Sequence, residues 1–196
     1  MGLFRFDTAG AERVEAEGFV AAAFRRCHGA TKVRPYPSVA TLRRDGEIVA
    51  AAGYRAAADE RLFLETYLDA PVEEAVAART GRAVSRDRIV EIGGLSAKGR
   101  RPLVELFARL AHAFDAQGLE FAVVTATAKL RRGFDLIGFD AIQLADADPA
   151  RLPGGAGGWG RYYETRPVVL AGRIHPTRER LDSFAARSGF PQEALA

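Results

Sequence analysis

The sequence predicts a single α/β (α+β) domain with a mixed, mostly antiparallel central sheet flanked by helices. Three observations lead there. With 196 residues, 48% of them hydrophobic, the chain can bury one core and is short for two. β-prone residues from Ser38 to Tyr54 flank Asp45-Gly46, a dipeptide suited to the positive φ angles of a type I′ turn, which predicts an antiparallel hairpin. From Arg88 to Ala145, strand patterns alternate with helix patterns twice over, which predicts two strand, helix, strand units.

The first helix is expected from about Ala11 to Arg26, with Thr8 as its N-cap and Val14, Val20 and Phe24 among its apolar positions. After the hairpin, Leu62 to Asp69 reads as extended, so that Glu65, Tyr67 and Asp69 share one face and Leu64, Thr66 and Leu68 the other. Pro71 and the acidic Glu73 and Glu74 then open a short helix that ends before Gly81. Arg88 to Ser96 is a strand, and Pro102 to Gln117 a helix stopped by Gly118. Leu103, Leu106, Phe107, Leu110 and Phe114 make one apolar stripe on that helix, fit to cover a sheet. Leu119 to Thr127 is the next strand. Lys129 to Ile137 is a helix capped by Thr127 and ended at Gly138, and Phe139 to Ala145 is again extended. Asp146 to Arg161 holds five glycines and two prolines in sixteen residues, so it buries little apolar area and forms a loosely held loop. Val168 to Ala171 supplies the last strand, and Thr177 to Arg187 a peripheral helix capped by Gly189. One domain over residues 1–196 results, with its core at about 11–172 and a C-terminal helix at about 177–188.

Composition removes several functional classes. No run approaches the ~18 apolar residues of a membrane span. Met1 to Gly10 carries Asp7 and does not read as a signal peptide, so a cytoplasmic location is expected. Cys27 is the single cysteine, read as buried and inert, and His28, His112 and His175 show no metal-ligand spacing, so no metal is expected. The net charge of +3 does not imply nucleic acid, and with three lysines among 28 basic residues the arginine excess reads as the coding bias of a GC-rich bacterial genome.

The order of elements, and the run from Leu119 through a short helix to Gly138-Phe139, resembles the GNAT acyltransferases. That resemblance implies a splayed central strand pair holding the donor's pantetheine arm, with the pyrophosphate on backbone amides at the next helix N-terminus. The corresponding stretch here is Glu91 to Pro102, which keeps Gly99 of the usual paired glycines and is otherwise basic. In this it is similar to the acyl-homoserine-lactone synthases, which carry a glutamate early in this strand and accept acyl groups on acyl-carrier protein. A closer resemblance is to the thermostable hemolysin family. Its recurring phrases look like Leu62 to Asp69, Ile89 to Leu95, Thr125-Ala126-Thr127 with Leu130-Arg131, and Trp159 to Tyr163, in the same order over roughly residues 30–172. The family usually has asparagine where Gly94 stands.

The resemblance implies an acyl donor, CoA or the phosphopantetheine of acyl-carrier protein, held by Gly93, Leu95, Ser96, Lys98, Gly99, Arg100, Arg101 and Thr125, with an incidental basic turn as the alternative at Lys98 to Arg101. Glu65, Tyr67 and Asp69, on one strand face, are read as a wall for the amine acceptor or as a solvated face, and Trp159 as a lid on the acyl pocket or an anchor of its loop. Glu91 is read as a general base or acceptor-orienting carboxylate, as an ion-pair partner of Arg86 or Arg88, or as an exposed edge residue. Tyr162 and Tyr163 stand where GNAT enzymes often keep a general acid for the leaving thiolate, with aromatic packing as the alternative. Trp159 and its loop are expected to order over the cleft when ligand binds, or else to plug the core. The function expected is transfer of an acyl group, long chains included, to an amine. A membrane-perturbing hemolysin and a non-catalytic acyl-CoA or carrier-protein binding module stand as the alternatives, and no membrane-inserting pattern beyond the core's own needs is visible.

Overall fold

A computed structural model describes residues 3–137 and 139–187. Seven strands form one sheet: β1 (Leu3–Arg5), β2 (Ser38–Arg44), β3 (Glu47–Ala56), β4 (Ile89–Ala97), β5 (Phe121–Ala126), β6 (Ala141–Asp146) and β7 (Val168–Arg173). Their spatial order is β1-β2-β3-β4-β5-β7-β6, antiparallel throughout except for the central β4–β5 pair. The five helices are α1 (Gly10–His28), α2 (Val72–Thr80), α3 (Arg100–Ala116), α4 (Ala128–Ile137) and α5 (Ile174–Arg187). The mixed, mostly antiparallel sheet is the one the sequence predicts. The hairpin turn is as expected: Asp45 and Gly46 have φ of 51° and 82°, and Arg44 pairs with Glu47. The stripe on α3 buries Leu106, Phe107, Leu110 and Phe114 against the sheet.

Several local expectations are corrected. Thr8 does not cap α1; its N–H and hydroxyl both donate to the Val39 carbonyl, tying the helix entry to β2. Val14 is 70% exposed, because α1 faces the sheet through Ala16, Val20 and Ala23. The edge strand β1 carried too short a pattern to be recognised. Thr127 caps α4 as predicted, its hydroxyl accepting from the Leu130 N–H at 3.3 Å. Gly138 and Gly189, the expected ends of α4 and α5, lie outside the described residues.

The largest correction concerns Leu62 to Asp69, where Phe63–Tyr67 is a 3₁₀ turn and not a strand. Residues 65, 67 and 69 therefore do not share a strand face. Two buried carboxylates cause the curl. Glu65 accepts from the N–H groups of Leu62 (2.7 Å) and Val72 (2.9 Å), and Glu91 from those of Phe63 (2.9 Å) and Leu64 (3.1 Å). Backbone donors that a strand would pair with a neighbour are satisfied by side chains instead. Glu65 is held by Arg86 at 2.7 Å, and against its burial that guanidinium and the two N–H groups keep its carboxyl below the usual range. Glu91, 1% exposed, is dominated by burial, which raises its pKa to about 6 despite the Phe63 N–H and the Arg55 guanidinium 3.3 Å away. Arg55 is its partner, not Arg86 or Arg88, because the β3–β4 register sets Arg55 directly opposite Glu91. Arg86 serves Glu65 and Glu73, and Arg88 donates to the Gly118 carbonyl.

The next cross-strand pair on that face, Gly53 and Gly93, lies beneath the Tyr36 ring, and a Cβ on either would overlap it. Gly93→Ala is therefore expected to lose about 1–3 kcal/mol in urea denaturation, the cost of overpacking. Most of that loss should vanish in a Tyr36→Ala background, and an unchanged penalty there would contradict the packing. Glu91 makes a second prediction, through pH. Its folded pKa lies above the unfolded one, so the proton it holds stabilises the fold fully below the unfolded pKa of 4.5, and that stabilisation is lost as pH rises through about 6. The stability gap between wild type and Glu91→Gln should widen as the pH is lowered from about 7 to about 5. A pH-independent gap would show that Glu91 does not titrate there.

Candidate functional site

The sheet opens at β4 and β5, the one parallel pair among the described residues. β4 and β5 pair from Ile89 with Phe121 to Ile92 with Val124 and no further. Beyond that point β4 follows β3 to Ala97 and β5 follows β7 to Ala126. β4 is deflected by a bulge, in which the step from Ala51 to Gly53 on β3 faces the longer step from Ser96 to Gly93. Gly94 takes the bulge's left-handed φ of 59°, a conformation that favours glycine and that asparagine also tolerates. The parted strands open into a cleft of about 990 Å³.

Gly93 to Ala97 of β4, with Val124 and Thr125 of β5, line the gap itself. Gly99, at φ 111° and ψ 179°, turns the chain so that α3 begins at the cleft. No side chain caps that helix start and no acidic residue lies in its first turn, where Arg100 and Arg101 stand instead. Unpaired N–H groups and a partial positive charge there suit an anion. The opposite end is aromatic. Trp159 stacks on Phe63 (5.8 Å, 15°) and tilts against Tyr162, which Phe24 and His28 also contact.

Of the residues singled out from sequence, Gly93, Leu95, Ser96, Gly99, Arg100, Thr125, Tyr67, Trp159 and Tyr162 meet in this cleft. The others do not line it. Glu91 lies behind Tyr36, whose hydroxyl reaches its Oε1 at 3.5 Å. Glu65 is enclosed with Arg86, Asp69 pairs with Arg151 on the surface, and Lys98 pairs with Glu47. Tyr163 sits one layer out, its hydroxyl 2.6 Å from that of Tyr67. Cys27, expected buried, is exposed and lines the cleft: it continues the stripe of Ala16, Val20 and Ala23, but in the last turn of α1, where that face meets the cleft. The loop from Asp146 to Arg161 is tied to the chain after α1: Arg161 N–H donates to His28, and Gly158 accepts from Thr31 and Lys32. Sequence reasoning missed Arg34, Tyr36, Phe63, His28 and Arg161. The one available signal was Pro35-Tyr36-Pro37, an aromatic side chain fixed in a stiff extended segment.

Two groups carry useful proton chemistry. Burial, and then Tyr163, push the Tyr162 phenol well above its ordinary pKa, so it stays protonated; its hydroxyl points at the Thr125 carbonyl, 3.4 Å away, at the mouth of the gap. Burial, and then the charges of Arg161 and Lys129, lower the pKa of His28, so its imidazole is neutral near pH 7.

The fold is one found in acyl-transferring enzymes of GNAT-like architecture. The acyl-homoserine-lactone synthase LasI superposes with a TM-score of 0.65 at 12% identity, over 93% of this chain and 95% of that one. FeeM, an N-acyl amino acid synthase from uncultured soil microbes, gives 0.65 at 14% identity, over 94% and 97%. BjaI, a CoA-dependent acyl-homoserine lactone synthase solved with SAM and isopentyl-CoA, gives 0.57 at 18% identity, over 91% and 80%. At such identities the likeness is one of fold, and no curated protein matches the chain in sequence. The family profile described as thermostable hemolysin, by contrast, matches residues 7–178, and the chain belongs to the thermostable hemolysin family.

Proposed function

We propose that the chain is an acyltransferase moving an acyl group from a thioester, carried by CoA or by the phosphopantetheine of acyl-carrier protein, to an amine. The observation that carries this is the parting of β4 from β5 into a cleft with an uncapped, arginine-bearing helix start at one end and an aromatic wall at the other. The β5-facing edge of Gly93 to Ser96, beyond the last β4–β5 pair, offers backbone hydrogen bonds to a pantetheine arm, and the start of α3 with Arg100 takes its phosphate. Leu103, Leu130, Phe63 and Trp159 supply apolar surface for the acyl chain.

The amine attacks the thioester carbonyl directly; a C–N bond forms, the C–S bond breaks, and no covalent enzyme intermediate is required. Tyr162 supplies the proton that the departing thiolate takes up. Neutral His28 accepts the proton the amine releases. Glu91 acts by position, since its carboxylate holds the turn that bears Phe63 and Tyr67 and does not itself line the cleft. Tyr163 orients Tyr67 through their paired hydroxyls.

Among the described residues no helix is long and apolar enough to cross a membrane. Acyl transfer would account for the lysis recorded in the family's name through a surface-active acylated product. Isothermal titration with CoA, a long-chain acyl-CoA and acyl-carrier protein should show saturable binding of at least one, and silence with all three would overturn the proposal. Tyr162→Phe should lower turnover about 10²-fold or more while donor affinity is kept. Unchanged turnover would remove Tyr162 from the chemistry.

A further inference from the structure

The charge of the cleft carries information about the acceptor. Six cationic side chains line it, Arg26, Arg34, Arg100, Lys129, Arg132 and Arg161, against one carboxylate, Glu164. Among the described residues none of the six makes an ion pair, although Arg34 is near enough to Glu91 to lower its pKa, and elsewhere basic side chains are extensively paired with carboxylates. Arg26 is accounted for as a cation in the last turn of α1, where it complements the helix dipole. Arg100 begins α3, at the end proposed to take the donor's phosphate, and Lys129 and Arg132 lie on α4, Lys129 near enough to His28 to lower its pKa together with Arg161. Arg34 and Arg161 are the two that stand on loops and not on helices.

These two belong to the other end. Arg34 lies over the Phe63 ring at 4.8 Å, on the aromatic wall, and Arg161 precedes Tyr162 and lies close enough to His28 to depress its ionisation. Thr125 Oγ1, buried in the same cleft lining, has no hydrogen-bond partner among the described residues. A guanidinium is a rigid, planar fork shaped to receive a carboxylate. Conversely, a cationic acceptor such as a sulfonium amine would meet like charge here.

Resting on the acyltransfer reading, we infer that the acceptor is an amine that also bears a carboxylate, an amino-acid-type substrate whose anion is received by Arg34 and Arg161. The amino group then faces His28 and the gap between β4 and β5, and the product is an N-acyl amino acid with a free carboxylate. The selection is electrostatic: the site favours the zwitterion over the same amine without its carboxylate.

The test uses the intact protein and three probes: the common L-amino acids taken singly, the amines obtained by decarboxylating them (isopentylamine, tyramine), and CoA. Histidine side-chain resonances are followed by NMR, with His28 assigned by loss of its signal in His28→Gln. At least one amino acid should bind and raise the His28 pKa by about one unit, the effect of an anion placed nearby. The matching amine should bind at least tenfold more weakly. Arg161→Gln and Arg34→Gln should each abolish the preference while leaving CoA affinity as in the wild type. Equal binding of amino acid and amine, or no response to any amino acid, would overturn the inference. Loss of CoA affinity in both arginine variants would also overturn it, by assigning these cations to the donor. The CoA titration on the same samples reports separately whether the donor reading stands.

Discussion

The buried carboxylate of Glu91 is the contact on which the site depends. It stands on a central strand, directly opposite Arg55, and its two oxygens receive the N–H groups of Phe63 and Leu64 from a segment that belongs to no strand. Burying a carboxylate costs several kcal/mol unless it is paired and hydrogen-bonded. The chain meets that cost with one guanidinium and two backbone donors. What it gains is placement, because the turn so held brings Phe63 and Tyr67 into the cleft, and Phe63 in turn seats Trp159. Glu65 does the same one layer out, with Arg86 as its cation and Val72 and Leu62 as its backbone donors. The two glutamates differ in ionisation because Glu91 is the more deeply buried, and because Arg86 donates hydrogen bonds to Glu65 from two guanidinium nitrogens whereas Arg55 comes no nearer Glu91 than 3.3 Å.

From this anchor the remaining site follows by geometry. Gly53 and Gly93 leave room for Tyr36 to lie flat over the sheet, and the bulge at Gly94 turns β4 away from β5 just where their pairing ends. The gap exposes backbone that would otherwise be a ladder, and such backbone is a ready template for an extended, amide-bearing ligand. A helix start without a cap or an acidic neighbour lies at one side, and protonated Tyr162 at the other. An acyl donor suits these three features together: its anion, its extended arm and its leaving sulfur each meet a matching group.

The architecture was legible because its signals were local. Asp45-Gly46 fixed the hairpin, and the stripe from Leu103 to Phe114 fixed the helix that covers the sheet. The segment from Leu62 to Asp69 was misread because alternation of side chains cannot reveal that two carboxylates will take the backbone donors a strand needs, one of them, Glu91, 28 residues away from Phe63. For the same reason Glu91 suggested catalysis when its oxygens are committed to the fold. Half of the cleft was legible, that near β4 and α3, because a contiguous stretch of sequence builds it. The other half was not, since Arg34, Tyr36, His28 and Arg161 are brought together by the crossing of α1, its following segment and the glycine loop.

The central claim is that the gap between β4 and β5 holds an acyl donor. Trp159 reports on it directly, being the chain's only tryptophan and part of the cleft wall. Titration with a long-chain acyl-CoA, and with acyl-carrier protein, followed by tryptophan fluorescence, should give a saturable blue shift as the acyl chain excludes water from the indole. A spectrum unmoved by either donor would contradict the account.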